Sequence, residues 1–294
     1  MKECHVLIDD LSYAGEEEFD FARHSSIGCG GKAEAVFYPQ TIEQTLSLIR
    51  NFDAKRVPFI ALGNLTNVLP PDGKWAGSVL STKRLKGIGN TDGGVFALAG
   101  VTSGELINAC KRYGYSGAEF LEGIPCTLGG ALFMNAGVSG KYIADIVESV
   151  TVVRGGELLE LKKEDCRYFY KSSIFMQSGE TIVGAKLRLT EASQEEIEKA
   201  IGFYRQRRAH LPKGKSMGCV FKNPENNVAG KLIEGAGLKG LRVGGAVVSK
   251  LHANFIINDN GATAADIKSL IQIVKNAVFA QYKIRLEEEI RYIT

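Results

Sequence analysis

An α+β fold is predicted for this chain from three observations. Helical and strand-like periodicities are mixed along its whole length, the joints between them are long and rich in glycine, and no regular strand–helix–strand series repeats. A length of 294 residues fits about two domains as a soft prior. Hydrophobic residues make up 45% and charged residues 23%, which excludes a disordered or fibrous chain and allows a sizeable core. The 36 lysines and arginines exceed the 33 aspartates and glutamates by only three. That balance is too even for the electrostatic footprint of a nucleic-acid binder.

Thr41, with Gln44 three residues on, has capping-box spacing and opens the first helix, with Ile42, Leu46 and Ile49 on one face. A short strand is expected from Val57 to Leu62, then a turn at Gly63 and an apolar run from Val95 to Ala99. Ser103 is placed to cap the next helix, whose Leu106, Cys110 and Tyr113 share a stripe, with Cys110 as core packing. From Gly117 to Gly140 the chain reads GAEFLEGIPCTLGGALFMNAGVSG, a density of glycine and proline that no single regular helix or strand tolerates. Backbone matters more than side chains there.

Strands are expected from Val150 to Val153 and from Thr181 to Leu189, after which the charged segment EASQEEIEK marks a domain boundary near residue 192. Ser193 and Glu196 form a second capping box, and Ile197, Ile201 and Tyr204 make the buried face of the helix that follows. Its other face is basic at Arg205, Arg207 and Arg208, a pattern read as solvated surface. Asn254 to Asn258 reads as a buried strand, and Asp266 to Tyr282 as a long helix with Ile267, Ile271, Val274 and Val278 at helical spacing.

The six cysteines, Cys4, Cys29, Cys110, Cys126, Cys166 and Cys219, are widely spread, with no C-x-x-C pair and no histidine at ligand spacing. They suit neither a metal site nor a disulfide framework. The N-terminal stretch turns acidic before any run suited to a signal peptide, and no segment approaches the length of a membrane span, so a cytoplasmic protein is expected. Gly28, Gly30 and Ala33 in GCGGKA match a dinucleotide-binding fingerprint, but the run EAVFYP after them is strand-like where a helix should start. A tight turn explains them better.

Three corners remain with chemistry in them: ALGNLTN at 61–67, EGIPCTLGGALFMNAG at 122–137 and GCVFKNP at 218–224. Glycines let backbone N–H groups approach a diphosphate, and Thr66, Asn67 and Thr127 add hydrogen bonds without bulk. Taken singly, GGALFMNAG serves equally well as a close-packing turn.

The order of the segments IGCGGKAEAVFYP, LGNLTNVL, GIPCTLGGALFMNAG, CRYFYKSSIF, GCVFKNP, AGKLIEGAGLKG, SKLHANFIIN and LEEEI resembles that of the UDP-N-acetylenolpyruvoylglucosamine reductase family over nearly the whole chain. The short stretch between residues 171 and 218 is similar to the shorter, second type of that family. The resemblance implies a three-domain flavoenzyme with a middle FAD-binding domain of the PCMH/vanillyl-alcohol-oxidase type and a C-terminal substrate domain. It divides the chain into 1–54 with 283–294, 55–192 for FAD, and 193–282 for substrate. The implied reaction uses FAD and NADPH to reduce UDP-N-acetylglucosamine enolpyruvate to UDP-N-acetylmuramate, with a hydride from flavin N5. No nucleic acid, membrane or obligate protein partner is implied.

By the same resemblance, Cys219 stands where the family has a serine proton donor, and a thiol, with an ordinary pKa of about 8.5, is the stronger acid. The plainer reading is a cysteine that fills space. Glu289 in LEEEI takes the place of the family's carboxylate, with Glu287 and Glu288 as competitors. Lys171 stands where the family has arginine, keeping the charge but losing the bidentate fork. The FAD contacts carried over are Gly63, Asn64, Leu65, Thr66, Asn67, Gly123, Ile124, Pro125, Thr127, Gly129, Gly130, Asn135, Ala136 and Gly137. Tyr170, Lys222 and Asn223 are the substrate contacts, and His24, His210 and His252 are left structural. Two other functions stay open: a nucleotide-sugar or flavin-binding protein without catalysis, and a flavin oxidase acting on another substrate.

Overall fold

The computed structural model describes residues 15–294. Cys4 and residues 1–14 of the stretch read for a leader lie outside them. Helices and strands are mixed throughout, an α+β arrangement, and the chain divides into two compact units. One gathers residues 34–64 and 77–209, the other 18–33, 65–76 and 210–294.

The centre of the first unit is a five-stranded antiparallel sheet in the order Glu157–Lys162, Val147–Arg154, Thr181–Arg188, Gly94–Leu98 and Ile88–Thr91. Thr181–Arg188 is the middle strand, and all its residues but Lys186 and Arg188 are buried. Phe59–Leu62 pairs in parallel with Trp75–Ser81. The helix Ile42–Lys55 is capped by Thr41, as its spacing predicts, but its buried face is Thr45, Leu48, Ile49 and Phe52. Ile42 and Leu46 lie only part-buried at its margin. Thr102, not Ser103, caps the helix Ser103–Tyr113, because Glu105 stands three residues after Thr102 and closes the capping box. Ser103 instead donates to the Ile124 carbonyl at 2.6 Å. Leu106, Ile107, Ala109 and Cys110 are buried, whereas Tyr113 in the last turn is exposed.

The glycine-rich stretch is not wholly irregular, for Leu128–Met134 forms a short helix capped by Thr127 and ended by Asn135 in the left-handed region. Ser193 and Glu196 do form the capping box of the helix Gln194–Arg208, with Ile197 and Ile201 buried. That helix packs in the core of the first unit, and the chain passes to the second unit after Ala209.

The second unit holds a four-stranded antiparallel sheet in the order Ser216–Cys219, Phe255–Asn258, Ala246–Val248 and Arg242–Val243. The helix Ala264–Tyr282 buries Ile267, Leu270, Ile271, Val274 and Val278 in the same core as Val220 and Phe221. Its N-terminus is closed by the Thr263–Asp266 capping box and by Asp72, whose two oxygens accept from Ala264 and Ala265 at 2.6 and 2.9 Å. The turn at Gly28 and Gly30 leads into the strand Lys32–Phe37, with no helix behind it, as the rejection of a dinucleotide fingerprint requires.

Candidate active site

In the first unit the corner 122–137 is pinned from beneath. Leu128 and Gly129 N–H groups donate to the Val101 and Ala99 carbonyls at 2.7 and 2.9 Å. Thr127 is 1% exposed, and its hydroxyl accepts from Gly130 N–H. A Cβ on Gly63 would stand 2.2 Å from Thr127 Oγ1, and one on Gly137 would stand 2.1 Å from the Lys141 carbonyl. The close-packing reading therefore accounts for both. Gly130 is different, because a Cβ there would meet only Thr127 Oγ1 at an ordinary 3.5 Å. Asn64 Nδ2 donates to the Pro125 carbonyl at 3.3 Å, which ties residue 64 to this corner.

Arg205 and Arg207 on the basic helix face are exposed, as read from the sequence, and they also carry contacts: Arg205 pairs with Glu122 at 2.9 Å and Arg207 donates to Ser139 at 2.9 Å. The Arg208 side chain lies beside Gly123, where an added Cβ would be 3.2 Å from its Nε. The corner thus sets its glycines among apolar residues such as Leu128, Leu132 and Phe133, with its one acid, Glu122, paired to Arg205, and with Arg208 beside Gly123. The space beside Gly130 and the neighbouring arginines fit a flavin adenine dinucleotide, whose diphosphate needs close backbone approach and positive charge. The spacing of these arginines after Ser193 carried no sign of that destination.

The loop bearing Lys171 hangs from the same corner. Phe169 and Ser172 exchange two backbone hydrogen bonds at 3.1 Å, and Lys171 within that turn has φ +52°. Asn135, 4% exposed, donates to the Phe169 carbonyl at 2.8 Å and accepts from Ala144 N–H at 3.2 Å. Ser173 donates to the Phe133 carbonyl at 2.6 Å, and Tyr170 meets Tyr142 edge to face at 6.2 Å. Asn135 therefore joins the loop of Lys171 to the end of the Leu128–Met134 helix. A left-handed lysine is a strained choice that its surroundings must hold in place.

Leu65, Thr66 and Asn67 belong to the second unit, so the ALGNLTN segment divides after Asn64. The Leu65 carbonyl accepts from Ser26 N–H at 3.1 Å, while Asn67 Nδ2 donates to the Glu289 carbonyl at 3.1 Å. Val68–Leu69 pairs in parallel with Arg291–Tyr292 just beyond.

Residues 220–222 run beside 287–289. Glu289 N–H donates to the Val220 carbonyl at 2.8 Å, Lys222 N–H donates to the Glu287 carbonyl at 2.9 Å, and Phe221 and Glu288 face each other across the bridge. This pairing sets Glu289 opposite Val220, the residue after Cys219. The three glutamates also separate. Glu287 is 73% exposed and pairs with Lys222 Nζ at 2.5 Å, and Glu288 holds Lys275 Nζ at 2.7 Å and the Tyr292 hydroxyl at 2.5 Å. Burial, then Glu288, pushes the Tyr292 hydroxyl above its ordinary pKa. Asn223 Oδ1 accepts from Ala229 N–H at 3.0 Å, closing the start of the Ala229–Gly235 helix. The His24 ring stacks on Phe19, and His252, pushed down by burial, accepts from Asn254 N–H through Nδ1 at 3.3 Å.

Cys219 is half-buried, whereas Cys29, Cys110, Cys126 and Cys166 are buried, and burial pushes their thiols up to about 11, 12, 12 and 12. A thiol so shifted offers almost no thiolate at neutral pH. Iodoacetamide at pH 7.5 is therefore expected to label Cys219 before the other four in native protein. Peptide mass spectrometry over time checks this, and earlier labelling of any buried cysteine would contradict the ordering.

A family profile described as an FAD binding domain matches residues 33–162, and one described as UDP-N-acetylenolpyruvoylglucosamine reductase, C-terminal domain, matches residues 209–293. The UDP-N-acetylenolpyruvoylglucosamine reductase of Geobacter metallireducens is 40% identical over 275 residues, covering 92% of this chain and 91% of that protein. The one from Carboxydothermus hydrogenoformans is 39% identical, covering 94% and 93%. The chain belongs to the UDP-N-acetylenolpyruvoylglucosamine reductase family. The crystal structure of UDP-N-acetylenolpyruvylglucosamine reductase from Thermus caldophilus superposes with a TM-score of 0.83 at 32% identity, covering 96% of this chain and all of that one. As a UDP-N-acetylenolpyruvoylglucosamine reductase, the protein is an FAD-containing oxidoreductase, and the glycine-rich corner lies inside its FAD-binding domain. Cys219 and Glu289 lie inside its C-terminal reductase domain. No helix among the described residues is long and apolar enough to cross a membrane, and no cluster of histidine, cysteine and acidic residues among them could hold a metal.

Proposed function

We propose that this reductase uses NADPH and FAD to reduce UDP-N-acetylglucosamine enolpyruvate to UDP-N-acetylmuramate in peptidoglycan precursor synthesis, in the cytoplasm. The observation that supports the reading is the pairing of 220–222 with 287–289, which sets Glu289 opposite Val220, the residue after Cys219. FAD, when bound, supplies two-electron chemistry, accepting a hydride from NADPH and delivering one to the methylene carbon of the enolpyruvyl group. Everything else falls to the protein. Backbone at Gly63, Asn64, Leu65, Thr66, Asn67, Gly123, Ile124, Pro125, Thr127, Gly129, Gly130, Asn135, Ala136 and Gly137 contributes to the FAD site, with small side chains allowing close approach.

Addition at the methylene carbon builds negative charge on the substrate carboxylate as an enolate. The Lys171 ammonium counters that charge, and the Glu289 carboxyl group donates a hydrogen bond to the enolate oxygen. Cys219 Sγ holds the proton that the adjacent carbon receives, which leaves the lactyl ether and a thiolate that solvent reprotonates. Tyr170, Lys222 and Asn223 hold the nucleotide sugar, Lys222 by charge and Tyr170 by its exposed ring. In functional terms residues 1–54 with 283–294, 55–192 and 193–282 act as three domains.

An anaerobic visible spectrum of the purified protein tests the reading in one cuvette. Bound flavin is expected to bleach with NADPH and to return when the enolpyruvyl nucleotide sugar is added. Flavin that bleaches but does not return with that sugar would remove the proposed substrate or the proposed catalysis.

A further inference from the structure

The backbone that carries Cys219 is held from two sides. Ser216–Cys219 pairs with Phe255–Asn258 at Ser216 with Ile257 and Cys219 with Phe255, a register shift that places one extra residue on the first strand. Beyond Cys219 a side chain continues the ladder. Asn254 Nδ2 donates to the Phe221 carbonyl at 2.8 Å, and Phe221 N–H donates to Asn254 Oδ1 at 2.9 Å. Val220 N–H donates to the Asn254 carbonyl at 2.8 Å. The primary amide takes the place of a peptide unit, offering one donor and one acceptor to a single residue. Asn254 is 3% exposed, so water does not compete for either bond. The other edge of the same segment is bonded to 287–289, the stretch that carries Glu289.

We infer that Asn254 is a positioning residue for proton delivery: its paired bonds to Phe221 fix the backbone of Cys219 in register with Glu289. The inference rests on the reading of Cys219 as the proton donor. Only asparagine meets the requirement at this reach. Aspartate keeps an acceptor for Phe221 N–H but turns an oxygen toward the Phe221 carbonyl, and alanine removes both bonds. A donor displaced by an ångström from its target loses rate steeply while the fold persists.

The test compares wild-type holoenzyme with N254A, N254D, C219A and the N254A/C219A double variant by anaerobic stopped flow. In N254A, flavin reduction by NADPH is expected within roughly twofold of wild type, and reoxidation by the enolpyruvyl nucleotide sugar about 100-fold slower. The double variant should reoxidise no slower than C219A alone, because two changes that act through one thiol do not multiply. Hydrogen exchange supplies a readout independent of turnover, with protection lost at Phe221, whose N–H loses its acceptor in N254A, and kept at Val220, which donates to the backbone carbonyl of residue 254. A slow C219A beside a wild-type N254A would overturn the inference and leave the donor reading standing. A C219A that reoxidises normally would remove the donor reading itself. Equal slowing of both half-reactions in N254A, or effects that multiply with those of C219A, would give Asn254 a purely structural role. If N254A does not fold with flavin, N254D takes its place in each comparison, and failure of that near-isosteric variant too would overturn the inference.

Discussion

Cys219→Ala is expected to slow flavin reoxidation by the enolpyruvyl substrate by about 10²–10⁴-fold, the usual contribution of a positioned general acid. Flavin reduction by NADPH should be unaffected, because that half-reaction takes no proton from the thiol. The split matters more than the size. A cysteine that only filled space would, when shortened, loosen the second unit and depress both half-reactions together. Its partial exposure already separates it from the four buried cysteines of the described chain. Cys219→Ser should retain substantial activity, since a hydroxyl keeps a transferable proton at nearly the same position. Single-turnover traces of each half-reaction for the two variants decide the matter, and a serine variant as slow as the alanine one would count against proton donation.

The second large effect is expected at Glu289. Glu289→Gln should slow reoxidation by about 10²–10³-fold, the scale of losing one group that stabilises developing charge. Its neighbours serve as internal controls. Glu287 is mostly exposed and pairs with Lys222, so Glu287→Gln should act on substrate affinity through Lys222 and leave reoxidation at saturating substrate within about fivefold of wild type. Glu288 holds Lys275 and Tyr292 within the core-facing side, so Glu288→Gln should lower the melting temperature while folded enzyme still turns over. Steady-state rates normalised to bound flavin, with melting curves alongside, separate the three. If Glu287→Gln or Glu288→Gln produced the selective loss instead, the carboxylate would have been assigned to the wrong member of the run.

That run shows where sequence reasoning stops. Three adjacent glutamates look alike until residues 220–222, more than sixty positions earlier, pair with them and give each a different neighbour. Local signals did better. Thr41, Ser193 with Glu196, and the spacing from Ile267 to Val278 placed their helices because capping and burial there depend on residues within a few positions. Ser103 was misplaced by one residue because Glu105 closes a box only on Thr102, and Tyr113 lost its expected burial at the final turn of the same helix. The destination of Arg205, Arg207 and Arg208 and the role of Asn254 both depend on contacts that join distant stretches of chain, and neither residue type announces itself. The glycine-rich corner was legible as a corner, but which glycines its own packing demands became clear only from their neighbours.

The second unit is sewn from three separated stretches, with Val68–Leu69 waiting for Arg291–Tyr292 as its parallel partner. During synthesis, the early pieces at 18–33 and 65–76 leave the ribosome long before the strand that completes them. At the usual elongation rate of about 5–20 residues per second, more than 200 residues must still be added, a delay of roughly 10–45 s. Over that interval their apolar side chains, Ile27 and Leu69 among them, have no finished core to enter. The nascent chain therefore carries an unpaired portion through most of its own translation, and Arg291–Tyr292 close the second unit only afterwards.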